Sequence, residues 1–152
     1  MITKTFKEAQ YLKRMLVIGI INAGINDRLN YAATKLSKNI EKACESLNDE
    51  IAERVEELQV KFALTDIESG AMLTETTQQG EKYRYSAEGR LKLNEGIKAL
   101  NKEFESKEVS FQPYLIADAT PRLEKFSVDF LEELSGILIP EELVQSKLAA
   151  LV

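Results

Sequence analysis

Apolar residues recur at helical spacing through most of this chain, and they divide it into a few long elements and several short ones. Phe6, Ala9, Leu12, Leu16 and Ile20 mark one face of a first helix. Thr5 and Glu8 stand at capping-box spacing, so that helix is predicted to start at Phe6. Over residues 15–21 the pattern is apolar almost all round, which predicts a helix end buried on several sides. Gly19 and Ala23, four apart, would let another backbone approach closely. Gly24 ends the helix, with Asn26 and Asp27 as turn or cap residues.

A much longer pattern follows. Leu29, Ala33, Leu36, Ile40, Ala43 and Leu47 alternate steps of four and three, a heptad seam. Ile51, Val55, Leu58 and Phe62 continue it after one extra step of four, a stutter that locally relaxes a supercoil. No glycine or proline falls between Gly24 and Gly70. The pattern predicts one amphipathic helix over about residues 28–68, roughly 60 Å long at 1.5 Å per residue. The first helix should fold back on it as an antiparallel hairpin, yet it is long enough to cover less than half of it. Ile51, Val55, Leu58 and Phe62 therefore need a cover, either the C-terminal part of the chain or another chain. They are the candidate partner-binding residues.

The remainder reads as shorter elements. Ser69 and Gly70 stop the long helix, and residues 74–80, rich in Thr and Gln, read as a loop. On either side, residues 71–73 and 82–86 are predicted as short hairpin strands, with Tyr83 and Tyr85 on one face and Arg84 on the other. Ser86 is the N-cap of a third helix carrying Leu93, Ile97, Leu100 and Phe104; Gly89 and Gly96 each weaken it by up to about 1 kcal/mol relative to Ala. Val109, Phe111 and Leu115 alternate with polar neighbours as a strand does, and Pro113 makes it an edge strand or bends it. Thr120-Pro121 is a turn. Ser127 caps a short helix with Phe130, Leu131 and Leu134 as its apolar contacts, Gly136 breaks it, and Pro140 opens a last helix with Glu141 and Glu142 in its first turn. The fold class expected is α+β, helix-dominated: an antiparallel helical hairpin over residues 1–68 and a small β-containing cap over residues 69–152, in one domain. The expected core includes Leu16, Ile20, Leu36, Ile40, Leu47, Leu93, Ile97, Leu100, Phe111 and Phe130.

Composition narrows the chemistry more than it changes the architecture. The chain has 152 residues and a net charge of −5, which disfavours general nucleic-acid binding because phosphate recognition needs clustered positive charge. The charge is uneven: residues 1–26 carry Lys4, Lys7, Lys13 and Arg14 against Glu8, a net of +3. There is no histidine, which removes Ser-His-Asp and Cys-His nucleophilic sites, histidine general bases and histidine-ligated metals. Cys44 is the only cysteine; it lies on the apolar stripe of the long helix and reads as a small buried hydrophobe, and no intrachain disulfide can form. Walker A and GxGxxG loops are missing. No catalytic, cofactor or metal residues are therefore assigned. Glu50, Glu53, Glu56 and Glu57 crowd one stretch of the long helix, but they read as a solvated acidic face rather than a divalent-cation site. The apolar run at residues 16–21, preceded by Lys13 and Arg14, superficially resembles a signal peptide; it is too short to span a bilayer, and no membrane association is expected. The host-cell cytoplasm or a virion is the expected location.

One basic and aromatic cluster stands out. Tyr83, Arg84, Tyr85, Arg90 and Lys92 combine stacking rings with positive charge, the means by which single strands are held. Glu81, Glu88 and Glu95 dilute it, and strand alternation would put both tyrosines on a packed face.

Residues 83–143 carry a resemblance. Tyr83-Arg84-Tyr85-Ser86 leads into a helix with Leu93, Asn94, Ile97 and Leu100; Glu108-Val109-Ser110-Phe111 follows, then Phe126-Ser127-Val128-Asp129-Phe130-Leu131 and Ile139-Pro140-Glu141-Glu142-Leu143. This resembles small proteins of unknown function carried by tailed phages and prophages. The resemblance implies a phage or mobile-element context and supplies no catalytic residues. The function expected is a non-enzymatic protein-interaction module, a virion or assembly component or an inhibitor of a host system, with a protein partner or self-association through the long helix. The alternatives are a single-stranded nucleic-acid-binding accessory protein and, less favoured, a carboxylate-based metal-dependent enzyme.

Overall fold

Helices dominate the computed structural model, which describes residues 1–24, 27–116 and 126–150, with Asp27 described by its backbone alone. The expected helix-dominated α+β class holds. The chain divides into two compact units, Met1–Glu45 with Lys107–Val152, and Ser46–Ser106. This division falls inside the long helix.

The first unit opens with a strand that sequence reading passes over. β1 (Ile2–Thr5) pairs antiparallel with β4 (Glu108–Phe111), Ile2 opposite Phe111 and Thr5 opposite Glu108. With Ile2 its only apolar residue, β1 has no alternation to betray it; its partner supplies the reason it is a strand. α1 (Phe6–Leu16) starts where the capping box predicts. The Thr5 hydroxyl accepts the Glu8 N–H at 3.2 Å, and the Glu8 carboxylate accepts the Thr5 N–H at 3.2 Å. The Phe6 N–H donates to the Lys107 carbonyl, tying the helix start to the strand beside it.

At Val17 the helix widens into a π-turn, Val17–Ile21, closed by the Asn22 N–H on the Val17 carbonyl at 2.8 Å. Four β-branched residues, Val17, Ile18, Ile20 and Ile21, flank Gly19 here, and each crowds a tight α-turn. The expectation of an end buried on several sides is corrected: Leu16 and Ile20 are buried, whereas Ile18 is 63% exposed. Gly24 then takes φ +60° and ends the element as expected. Asn26 and the Thr120-Pro121 turn lie outside the described residues.

α2 (Asp27–Phe62) runs 36 residues, about 54 Å at 1.5 Å per residue. Within the first unit it buries Leu29, Ala33, Leu36, Ile40 and Cys44, the expected seam except that Cys44 replaces Ala43 at its inner end. Lys13 of α1 reaches Glu41 of α2 at 3.8 Å. α4 (Val128–Leu134) is capped by Ser127, whose hydroxyl accepts the Phe130 N–H at 3.2 Å, and it buries Phe130, Leu131 and Leu134. α5 (Glu141–Ala150) follows Pro140 and buries Val144. β4 stops at Phe111, so Leu115 is not a strand residue and is exposed; the Tyr114 and Ile116 N–H groups donate instead to the Ile137 and Leu138 carbonyls.

In the second unit α2 ends at Phe62, six residues short of the expected Glu68. The helical pattern continues past this point, but a backbone ladder takes the chain. The Leu64 N–H donates to the Arg84 carbonyl (2.8 Å), the Arg84 N–H to the Leu73 carbonyl (2.9 Å) and the Leu73 N–H to the Leu64 carbonyl (2.8 Å), a closed ring of three bonds. The hairpin is present with shifted strands: β2 (Thr74–Thr77), within the stretch that reads as a loop, pairs with β3 (Gly80–Tyr83), which overlaps the expected second strand at Lys82 and Tyr83. Its polarity conceals it, because this hairpin is exposed along most of both strands, so its threonines act by backbone preference and not by burial. α3 (Ala87–Glu105) starts at its Ser86 cap and buries Leu93, Leu100 and Phe104. A Cβ at Gly89 would stand 3.0 Å from the Phe62 carbonyl and one at Gly96 3.2 Å from the Leu58 side chain, while Arg54 bonds Glu103. Residue numbers falling on one helix as they rise on the other define an antiparallel pair. The two glycines are thus the places where α3 can approach α2, a role beyond the weakening expected of them.

Candidate functional site

The structure places the sequence-derived candidates in three different settings. Ile51, Val55, Leu58 and Phe62 are all half-buried. α3 of the same chain supplies cover for part of this stripe: Leu58 lies against Gly96, and Arg54 reaches across to Glu103 through two bonds of 3.1 Å. Arg54 also lies over the Phe104 ring, 5.7 Å from its centroid. Both partners of that ion pair are largely exposed, so it orients the helices more than it stabilises them. Leu47 and Ile97, expected in the core, are half-buried; the other eight core assignments are buried.

The basic and aromatic cluster comes together only in part. Tyr83, Tyr85 and Arg90 line one cleft of about 620 Å³ with Leu93, Asn94 and Ile97. Arg90 stacks over the Tyr85 ring at 5.2 Å, and burial raises the Tyr85 hydroxyl pKa, partly offset by Arg90. Arg84 is exposed and lines no part of that cleft, while Lys92 is paired with Glu88 at 3.1 Å. Lys82, Glu75 and Glu81 line the cleft as well. A polyanion would meet two carboxylates there against Lys82 and the stacked Arg90 guanidinium, a lining of balanced charge and not a basic one.

Glu50, Glu53, Glu56 and Glu57 are exposed, and among the described residues no three His, Cys, Asp or Glu side chains are placed to hold a metal ion. Cys44 is fully buried; burial pushes its thiol pKa up, with Lys13 pulling the other way.

The most protein-like binding surface lies where sequence reading expects core. α1 carries two apolar stripes. Ala9, Leu12, Leu16 and Ile20 face inward. Tyr11, Met15 and Ile18, spaced as i, i+4 and i+7, face outward, with Tyr11 57% exposed. This outer stripe forms one wall of an open groove of about 490 Å³. Phe126 and Phe130 form the other, packed edge to face at 5.0 Å between centroids. Gly19 is the floor: a Cβ there would stand 3.0 Å from the Phe130 ring. The expected close approach at Gly19 is real, but it is to a ring and not to a backbone, and Ala23 is exposed. The π-turn permits this, since it holds Ile20 inward while Ile18 points out and Gly19 meets Phe130.

A second cleft of about 540 Å³ adjoins the groove and shares Tyr11 and Met15 with it. Its wall is acidic: Asp129, Glu132 and Glu133 of α4, with Lys4 opposite. Arg14 lies at the apolar groove. An apolar groove with one guanidinium thus stands beside a cleft lined by three carboxylates and one lysine.

Compared with known protein families, with curated proteins and with solved structures, the chain matches none of them. No helix among the described residues is long and apolar enough to cross a membrane.

Proposed function

We propose that this chain is a non-enzymatic protein-interaction module encoded by a phage or mobile element, serving as an assembly component or as an inhibitor of a host system. The observation that carries the reading is the groove between α1 and α4, where Tyr11 and Ile18 stand exposed and Met15 half-buried opposite Phe126 and Phe130. Aromatic and methionine side chains at the centre of a patch, with charge at its rim, are the composition of protein interfaces. The contact surface lies on the outer stripe of α1, a different place from the long-helix stripe that the heptad seam suggests. The tailed-phage resemblance of residues 83–143 supplies the context.

Site-directed crosslinking tests it. An Ile18→Cys variant carries one accessible thiol, since Cys44 is buried, and accepts a thiol-linked benzophenone. Illumination in a cell producing the protein should yield discrete protein adducts. The same label on Val60→Cys, exposed on α2 in the other unit, is the control. Equal, diffuse labelling from both positions would overturn the reading.

A further inference from the structure

We propose that the cleft between the β2–β3 hairpin and α3 binds a small zwitterion with an aromatic body, either an aromatic α-amino acid or a dipeptide that carries one. The site lies within the second unit, whereas the α1–α4 groove belongs to the first, so neither reading rests on the other. Its floor is apolar: Leu93 is buried and Ile97 half-buried. Tyr83 and Tyr85, both half-buried, add aromatic surface. A volume of about 620 Å³ falls within the range of small-molecule sites, about 300–1,000 Å³.

Charge selects the ligand. Successive residues of a strand point to alternate sides, so Glu81 and Tyr83 share one face of the hairpin, with Thr74 opposite Tyr83. Lys82 and Glu75 stand opposite each other on the other face, where their charges offset. Glu81 and Arg90 are left as the uncompensated charges of the lining, one of each sign. They do not pair with each other, and neither joins any ion pair among the described residues. The Arg90 guanidinium is instead stacked over the Tyr85 ring, 5.2 Å from its centroid. Stacking fixes the plane of a guanidinium and leaves its N–H edge open to a carboxylate. The Glu81 carboxylate only accepts hydrogen bonds, which matches an ammonium group.

A ligand of one sign would be attracted by one of these two groups and repelled by the other. A zwitterion satisfies both, and its ring gains the tyrosines and the apolar floor. The amides of Gln59 and Asn94, also in the lining, can each bond a peptide group, which admits the dipeptide.

Amide-resolved NMR titration of the full chain tests this. The probes are L-phenylalanine and phenylalanyl-glycine, with three truncated compounds beside them. Phenylacetate keeps the ring and the carboxylate, phenethylamine the ring and the ammonium, and glycine both charges without the ring. Both zwitterions with a ring should shift the amides of Tyr83, Tyr85 and Arg90, with a dissociation constant of roughly 1 mM, since Glu81 and Arg90 are exposed and water screens them. Each truncated compound should bind about tenfold more weakly, the scale of one charge-assisted hydrogen bond or one aromatic contact. Arg90→Gln should lower L-phenylalanine to the level of phenethylamine and leave phenethylamine unchanged. Glu81→Gln should lower it to the level of phenylacetate and leave phenylacetate unchanged. A variant that only loosened the fold would weaken every compound alike, and circular dichroism checks that each keeps its helices.

Tighter binding of phenylalanyl-glycine would assign the site to peptides, and tighter binding of L-phenylalanine to the free amino acid; either supports the proposal. No shift with either zwitterion up to about 20 mM would overturn it. So would phenylacetate or phenethylamine binding as tightly as L-phenylalanine, or shifts confined to residues outside the cleft.

Discussion

Thr5 shows what one residue settles. It closes β1, caps α1 and holds the Glu8 carboxyl below its ordinary range, chiefly through their side-chain hydrogen bond and then through the Thr5 backbone N–H. A depressed folded pKa contributes stability above the unfolded value near 4.5 and loses it as pH falls through the lowered folded value. Thr5→Ala should cost about 1 kcal/mol at neutral pH, measured by urea unfolding, and less in acid once Glu8 is protonated. Its thermodynamic role is legible from the spacing of Thr5 and Glu8 alone, because a capping box is local chemistry. Cys44 makes the opposite case. Its burial raises the thiol pKa and hides the sulfur, so labelling by a thiol reagent at pH 8 should be slow in native protein and immediate in denaturant. Fast native labelling would contradict the burial.

Elements show where local pattern fails. Over residues 15–21 almost every position is apolar, so periodicity cannot distinguish the inward face from the outward one. The π-turn and the Phe130 ring decide it. Ile18→Asp should change unfolding free energy by no more than about 0.5 kcal/mol, while Ile20→Asp, two residues away and fully buried, should cost about 4 kcal/mol or more. Equal effects would mean the faces are misassigned. The glycines of α3 offer a second contrast. At Gly96 a new Cβ meets the end of the Leu58 side chain, which can turn aside, so Gly96→Ala should be neutral or gain up to about 1 kcal/mol of helix propensity. At Gly89 it meets the Phe62 carbonyl, which is backbone and cannot, so Gly89→Ala should cost about 1–3 kcal/mol. Denaturant midpoints of the two variants separate these outcomes.

For the whole molecule, α2 is the element that matters most. It is a single uninterrupted helix, and it supplies buried residues to one unit and a half-buried stripe to the other. Melting it removes a wall from each. Urea unfolding followed by far-UV circular dichroism and by tyrosine fluorescence should therefore give coincident single transitions. The tyrosines report on both units, with Tyr31 and Tyr114 packed edge to face in one and Tyr83 and Tyr85 in the other. Two resolved transitions would show the units melting independently.

The sequence by itself determined the helices, their caps at Thr5, Ser86 and Ser127, the stops at Gly24 and Gly136, the inward seam of α2 and the absence of histidine chemistry. All of these rest on residues within a few positions of one another, where periodicity and capping act. Only the tertiary structure decided the rest. β1 exists because β4, over a hundred residues away, pairs with it. α2 stops at Phe62 because a ring of hydrogen bonds from Leu73 and Arg84 claims the next backbone groups. The outward stripe Tyr11, Met15 and Ile18 became a surface because Phe130 fills the space over Gly19 and leaves the neighbouring apolar residues facing water. A run that is apolar on every side carries no record of which side is covered; that record lies in the partner element.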